Sequence, residues 1–165
     1  MSPPPRPCVF FDRDGVANQS PGPGYVNHLD DFHIRPGFVD CVRAAAEKGY
    51  PAVIATNQRG ISRGITPPEQ LDAMHRHLRD ELAREGLELL DIFICTADDN
   101  THPDRKPNPG MLLAAAEKHN LDLARSWMVG DRESDVLTAQ RAGLAGAILV
   151  DPDPPPPPPP TTSPT

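Results

Sequence analysis

Long apolar runs are missing from this chain. No stretch approaches the roughly 20 uninterrupted apolar residues that a membrane-spanning helix needs. The opening Met-Ser-Pro-Pro-Pro-Arg-Pro has no apolar signal core, so neither secretion nor membrane contact is expected and a cytoplasmic location is. Basic residues are outnumbered: 16 Lys and Arg stand against 23 Asp and Glu, a formal charge of -7. Broad binding to nucleic acid or anionic membranes leans on a basic surface, so no nucleic-acid partner is expected, and an anionic substrate must be held by a local pocket. Cysteine is confined to Cys8, Cys41 and Cys95, widely spaced and set in apolar runs. They read as buried free thiols rather than a disulfide framework.

What the chain does have is enough length, 165 residues at 38% hydrophobic content, for one domain with a sizeable core. Proline divides it. Residues 1–6 and 152–165 read as disordered proline-rich tails, leaving a folded domain over 7–151. Pro154 to Pro160 lack backbone donors and favour an extended polyproline helix, a candidate for a partner with an aromatic groove.

Within the folded part, Cys8-Val9-Phe10-Phe11, Ala52-Val53-Ile54-Ala55, Ile92-Phe93-Ile94-Cys95, Trp127-Met128-Val129 and Ala147-Ile148-Leu149-Val150 read as strands buried on both faces. Helix-period segments separate them. Phe38, Cys41, Val42 and Ala45 share one face, with Gly49 as a left-handed end. Thr66-Pro67-Pro68-Glu69 has capping-box spacing ahead of the stripe Leu71, Met74, Leu78, Leu82. Asn108-Pro109 opens a third helix and Ser134 to Ala142 forms a fourth, closed by Gly143. Alternation of this kind implies an α/β, doubly wound, Rossmann-like core with a mostly parallel sheet. The spacers leave no room for a large cap domain, though residues Asn18 to Pro23 could form a small lid.

Ligands of such folds bind beyond the carboxyl ends of the strands. Asp12 and Asp14 lie directly behind the first strand, followed by Gly15, which permits a sharp turn. A carboxylate that attacks phosphorus needs a divalent cation to offset repulsion, and the hard oxygen donors here suit magnesium. Asp131, behind Gly130 and the fourth strand, supplies a further metal carboxylate, with Asp135 one helical turn away. Thr56, Asn57 and Gln58 offer a hydroxyl and amides to a phosphate, Lys106 a neutralising charge, and Arg105 a fork for a second anion. Each segment alone also fits a turn, a cap or a solvated loop; their conjunction at one rim is what points to catalysis. The histidines His28, His33, His75 and His77 read as surface residues, and Trp127 as core packing.

The ordered segments Phe11-Asp12-Arg13-Asp14-Gly15-Val16, Thr56-Asn57-Gln58-Arg59-Gly60-Ile61, Arg105-Lys106-Pro107 and Gly130-Asp131-Arg132-Glu133-Ser134-Asp135 resemble the haloacid dehalogenase superfamily. The nearest likeness is to its histidinol-phosphatase and heptose-bisphosphatase branch. The resemblance implies Asp12 as nucleophile and Asp14 as general acid, then base. It implies Thr56 and Lys106 on the transferring phosphate, and Asn57, Gln58, Arg59 and Arg105 toward the rest of the substrate. Magnesium would be held by Asp12, the Asp14 carbonyl and Asp131, with Asp135 orienting Lys106 or the metal shell.

One departure stands out. That branch commonly carries a zinc loop with a Cys-x-His and a later Cys-x-Cys pair, whereas here only Cys95 and His102 remain as soft ligands. Structural zinc needs four, so zinc is not expected and the loop must be ordered otherwise. The expected reaction is hydrolysis of a small phosphorylated metabolite through an aspartyl-phosphate, with a sugar bisphosphate such as D-glycero-D-manno-heptose 1,7-bisphosphate as substrate. Histidinol phosphate and a polynucleotide 3′-phosphate are the alternatives, the last disfavoured by the acidic charge. From another class comes a non-catalytic phosphate-binding scaffold recruiting partners through its proline tail.

Overall fold

Phe10 and Phe11 are adjacent and both buried, yet they belong to different cores, because successive side chains of a strand point to opposite faces. This places the sheet between two apolar layers. In the computed structural model, which describes residues 3–151, five parallel strands are ordered β3-β2-β1-β4-β5: β1 (Val9–Phe11), β2 (Ala52–Asn57), β3 (Leu89–Cys95), β4 (Trp127–Gly130) and β5 (Gly146–Leu149). The helices are α1 (Pro36–Glu47), the single turn α2 (Arg59–Ser62), α3 (Pro68–Arg84), α4 (Gly110–His119) and α5 (Glu133–Ala142). Phe11, Ile54 and Val129 pack with Phe38 and Val42 of α1 and Met74, Leu78 and Leu82 of α3. Phe10, Val53 and Met128 pack with Leu112 and Ala115 of α4 and Ala139 and Ala142 of α5 on the other face. The doubly wound parallel architecture is the one expected from the strand-helix alternation, and among the described residues it carries no cap domain.

Strand order reverses between β1 and β4, which pair in register with Phe11 opposite Val129. The crevice at such a reversal is where open α/β sheets bind ligands. Here β1 ends at Phe11 and β4 one residue past Val129, and the Asp12 N–H donates to the Val129 carbonyl at 3.0 Å.

Several local expectations change. Cys8 and Cys95 are buried free thiols, but Cys41 is exposed, because the apolar face of α1 is carried by Phe38 and Val42. The capping box at Thr66 is not made: α3 begins after Pro67 without a side-chain cap, and the Thr66 hydroxyl donates to Asn27 Oδ1 at 2.8 Å instead. Trp127 lies at the surface, 38% exposed against Gly146 of edge strand β5, not in the core. His75 is 7% exposed rather than a surface residue.

Arg6, read from sequence as tail, bridges to Leu121, and Asn120 and Arg125 side chains donate to the carbonyls of Pro3 and Pro5. The C-terminal tail 152–165, with its polyproline run and any partner for it, lies outside the described residues, as do residues 1 and 2. Among the described residues no helix is long and apolar enough to cross a membrane.

Candidate active site

A cleft of about 380 Å³ opens at the carboxyl ends of the strands, with Asp12, Asp14, Lys106 and Asp135 in its lining. Asp12 is 9% exposed. Its Oδ1 accepts from its neighbour Arg13 N–H at 2.9 Å and from Lys106 Nζ at 2.8 Å. Lys106 Nζ also donates to Asp135 Oδ1 at 2.9 Å, so one buried ammonium lies between two carboxylates. Burial pushes the Asp12 carboxyl up to about 7, against the pull of the Lys106 charge and with the Asp135 carboxylate reinforcing it. Lys106, although desolvated, is held above its ordinary value by Asp12 and Asp135. The Asp135 carboxylate thus adds to burial in raising the proton affinity of Asp12, and the two carboxylates together keep Lys106 charged.

Asp135 is positioned by backbone. Its Oδ2 accepts from the N–H groups of Asp131 and Arg132 at 3.2 and 3.3 Å, so it caps the start of α5 while its other oxygen holds Lys106. Gly130 makes this possible, because a Cβ there would lie 2.3 Å from the Asp135 Cβ.

Asp14 receives donors on both oxygens: Arg13 Nη2 at 2.6 Å and Asn18 Nδ2 at 3.0 Å on Oδ1, and Gln58 Nε2 at 2.9 Å on Oδ2. Burial opposes its ionisation, but Arg13 and these hydrogen bonds outweigh it and hold the carboxyl below its usual range.

Thr56, Asn57 and Gln58 also bracket other site residues, and Asn57 lines the cleft. Gln58 bridges Asp14 and the Thr56 hydroxyl, 2.9 Å from each. Asn57 clamps the main chain of Lys106, accepting from its N–H and donating to its carbonyl, both at 3.1 Å. Arg59 and Arg105 line the cleft with Arg132. Arg105 is 8% exposed and orders the β3–α4 loop, its Nε donating to Asn100 Oδ1 at 2.9 Å and its Nη1 to the Ala97 carbonyl at 3.3 Å. Asn108 Nδ2 adds bonds to the carbonyls of Asn100 and His102. The segment that would carry zinc ligands in the resembling branch is therefore knit by an arginine and two asparagines, with the His102 ring accepting from the Asp104 N–H.

The donors fit a divalent cation. One carboxylate oxygen each of Asp12, Asp131 and Asp135 lie within 4.8 Å of one another. Asp131 Oδ1 is buried without a hydrogen-bond partner, an arrangement that costs free energy unless something positive meets it. Asp135 has both oxygens engaged by protein donors, so Asp12 and Asp131 are the ligand candidates and Asp135 the orienting group. All-oxygen donors of this kind suit magnesium.

Gly15 completes the cradle. It sits at φ +90°, and a Cβ there would come 2.1 Å from Asp131 Oδ2. Gly15→Ala is expected to displace Asp131 and weaken magnesium binding about tenfold to a hundredfold by isothermal titration; unchanged affinity would remove Asp131 from the site.

The sequence reading missed Arg13 and His75. Arg13 is fully buried, its guanidinium 5.2 Å from the Phe32 ring and its Nη1 3.3 Å from His75 Nε2. A signal was present: His75 follows Leu71 by four residues and precedes Leu78 by three, so it falls on the apolar stripe of α3. Tyr25 lines the cleft with Pro21 to Gly24, while Asn18, at the base of the expected lid, is fully buried and donates to Asp14.

Comparison with known proteins identifies the family. Residues 23–143 match the family model described as haloacid dehalogenase-like hydrolase. A D-glycero-D-manno-heptose-1,7-bisphosphate 7-phosphatase of Thermosynechococcus vestitus is 38% identical over 159 residues, covering 88% of this chain and 79% of that protein. A D-glycero-beta-D-manno-heptose-1,7-bisphosphate 7-phosphatase of Yersinia pestis is 37% identical over 156 residues, covering 87% and 80%. Among solved structures, the D,D-heptose 1,7-bisphosphate phosphatase of B. bronchiseptica, complexed with magnesium and phosphate, superposes with a TM-score of 0.77 at 33% identity over 84% of this chain and 77% of that one. A HAD-like phosphatase of Mesorhizobium loti superposes at 0.82 with 35% identity over 93% and 76%. With its motifs in order, its site at the strand reversal and these relatives at these identities, the chain belongs to the haloacid dehalogenase-like hydrolase family.

Proposed function

We propose that this protein is a magnesium-dependent phosphomonoesterase that removes a phosphate from a heptose bisphosphate of the D-glycero-D-manno 1,7 type. The single observation that carries the reaction is the buried Asp12–Lys106–Asp135 array with the unpartnered Asp131 oxygen beside it. The relatives' names support the substrate class.

Asp12 attacks phosphorus while the bond to the leaving sugar oxygen breaks, and Asp14 gives that oxygen a proton. Asp14 is ionised in the free site; an anionic phosphate arriving beside it raises its proton affinity, which makes the acid role accessible. Asp14 then takes a proton from the water that cleaves the aspartyl-phosphate, and Asp12 is regenerated. Lys106 neutralises charge on the transferring oxygens, and the Thr56 hydroxyl, which accepts from Gln58, has its own proton to donate to one of them. Magnesium, held by Asp12, the Asp14 carbonyl and Asp131, would supply the charge that lets a carboxylate approach a phosphate dianion. Arg59, Arg105 and Arg132 line the cleft and furnish cationic partners for a second phosphate.

The test is phosphate release over sugar monophosphates, sugar bisphosphates, histidinol phosphate and nucleotides. Heptose bisphosphate is expected to be preferred by about a hundredfold or more in kcat/KM over the monophosphates, the discrimination a built anion subsite delivers. Chelation should stop release and magnesium restore it. Preference for histidinol phosphate would overturn the substrate, and activity indifferent to chelation would overturn the metal.

A further inference from the structure

Arg13 carries a charge into the core, and its surroundings are built around it. It is fully buried between the Asp12 and Asp14 loop positions and α3, with Met74 Sδ 3.9 Å and His75 Nε2 3.3 Å from Nη1, and Asp14 Oδ1 2.6 Å from Nη2. The guanidinium is planar and donates along fixed directions, so a partner on one amino group constrains where the other points. Nη2 meets Asp14 from a direction that the Nη1 contact to His75 helps to set. A leucine of similar size would fill the place of His75 in the stripe of Leu71, Met74 and Leu78 equally well as packing; an imidazole acceptor there serves Arg13.

We propose that His75 is a positioning residue for the reaction: its ring nitrogen accepts from Arg13 and thereby holds the Arg13 fork against the carboxylate of Asp14. This deepens, and rests on, the reading of Asp14 as acid and base. The contact requires Nε2 to be unprotonated with the proton on Nδ1. Burial, aided by the Arg13 charge, pushes the His75 imidazole down to about 4, so the acceptor form persists throughout the neutral range. With a partner on Nη1 the guanidinium has little room to rotate. Without His75, Nη1 keeps only the weak Met74 Sδ acceptor, and Arg13 is drawn toward another acceptor at the expense of Asp14.

The test compares His75→Leu, which removes the acceptor, with His75→Gln, which returns a neutral acceptor of similar reach. Hydrolysis of p-nitrophenyl phosphate with magnesium is followed, so that the identity of the sugar substrate does not enter, and each variant is also crystallised. His75→Leu is expected to lower kcat about tenfold or more with KM changed less than about twofold, and His75→Gln to recover most of the loss. In the crystals Asp14 should lose its Arg13 contact in the leucine variant and keep it in the glutamine variant. Equal kcat losses in the two variants, or an Asp14 that stays on Arg13 in the leucine variant, would overturn the proposal. The crystallographic arm decides it even if the wild type proves inactive, an outcome that would instead sink the phosphatase reading.

Discussion

Asp12→Asn is expected to fold normally and to lose phosphatase activity by on the order of 10⁴-fold or more. An asparagine amide has the shape of the carboxylate but cannot form the acyl phosphate bond, so kcat falls with the chemistry. Stability is expected to hold, because the array of Lys106 between Asp12 and Asp135 has one carboxylate in excess of what one ammonium balances. Burial already raises the proton affinity of Asp12 to about 7, and replacing it with a neutral amide leaves the Lys106–Asp135 pair intact. Steady-state release with saturating magnesium, beside a denaturant melt, reads both quantities. Retained turnover in a well-folded Asp12→Asn protein would mean that phosphate is transferred to another group or directly to water.

Lys106→Met is expected to damage both activity and fold. Lys106 is 6% exposed, and its methylene stem is replaced nearly in volume by methionine, so the change isolates the charge. What remains is two buried carboxylates facing one another with Asp131 close by. Breaking a buried ion pair by deleting one partner costs roughly 3–5 kcal/mol, a large fraction of the stability of a domain this size. Magnesium opposes the same repulsion, so the melt of Lys106→Met should shift upward with added magnesium by more than the wild type does. Activity should stay at least about a hundredfold down even at saturating magnesium, since the cation does not replace a donor to the transferring oxygens. A variant as stable as the wild type in metal-free buffer would show that the array is not fully charged.

These two outcomes, with the effect expected of Gly15→Ala, separate three contributions that one carboxylate motif conflates. On the proposed reaction Asp12 supplies a bond, Lys106 a charge, and Gly15 the space in which Asp131 can approach. Loss of all three in one measurement, activity, would not distinguish them; stability and metal affinity do.

How much of this was legible beforehand depended on the range of the interaction involved. Runs such as Ala52-Val53-Ile54-Ala55 announce a strand buried on both faces because both sets of alternating side chains are apolar, and β2 is there. Gly143 at φ +77° ends α5 as its position after an apolar periodic segment implied. The capping box at Thr66 failed because a tertiary acceptor, Asn27, competes for the hydroxyl. Trp127 was misplaced because strand order, invisible in the chain, puts β4 next to the edge strand rather than at the centre of the sheet.

The same division runs through the site. Which polar residues follow apolar strands, as Asp12, Asp14 and Asp131 do, or stand on an adjoining loop or helix start, as Lys106 and Asp135 do, is a property of the chain, and it marked these five as the chemical groups to consider. Their meeting is a property of the sheet: the parallel register of β1 with β4 brings Asp12 and Asp131 to one rim, and the Asn57 clamp brings in Lys106 from the β3–α4 loop. Only the tertiary structure assigns Gln58 to Asp14, Arg105 to its own loop, and Arg13 with His75 to the side of Asp14. The reason is physical. Apolar periodicity and turn chemistry act between near neighbours, whereas which donor meets which buried acceptor is decided by desolvation across elements far apart in sequence.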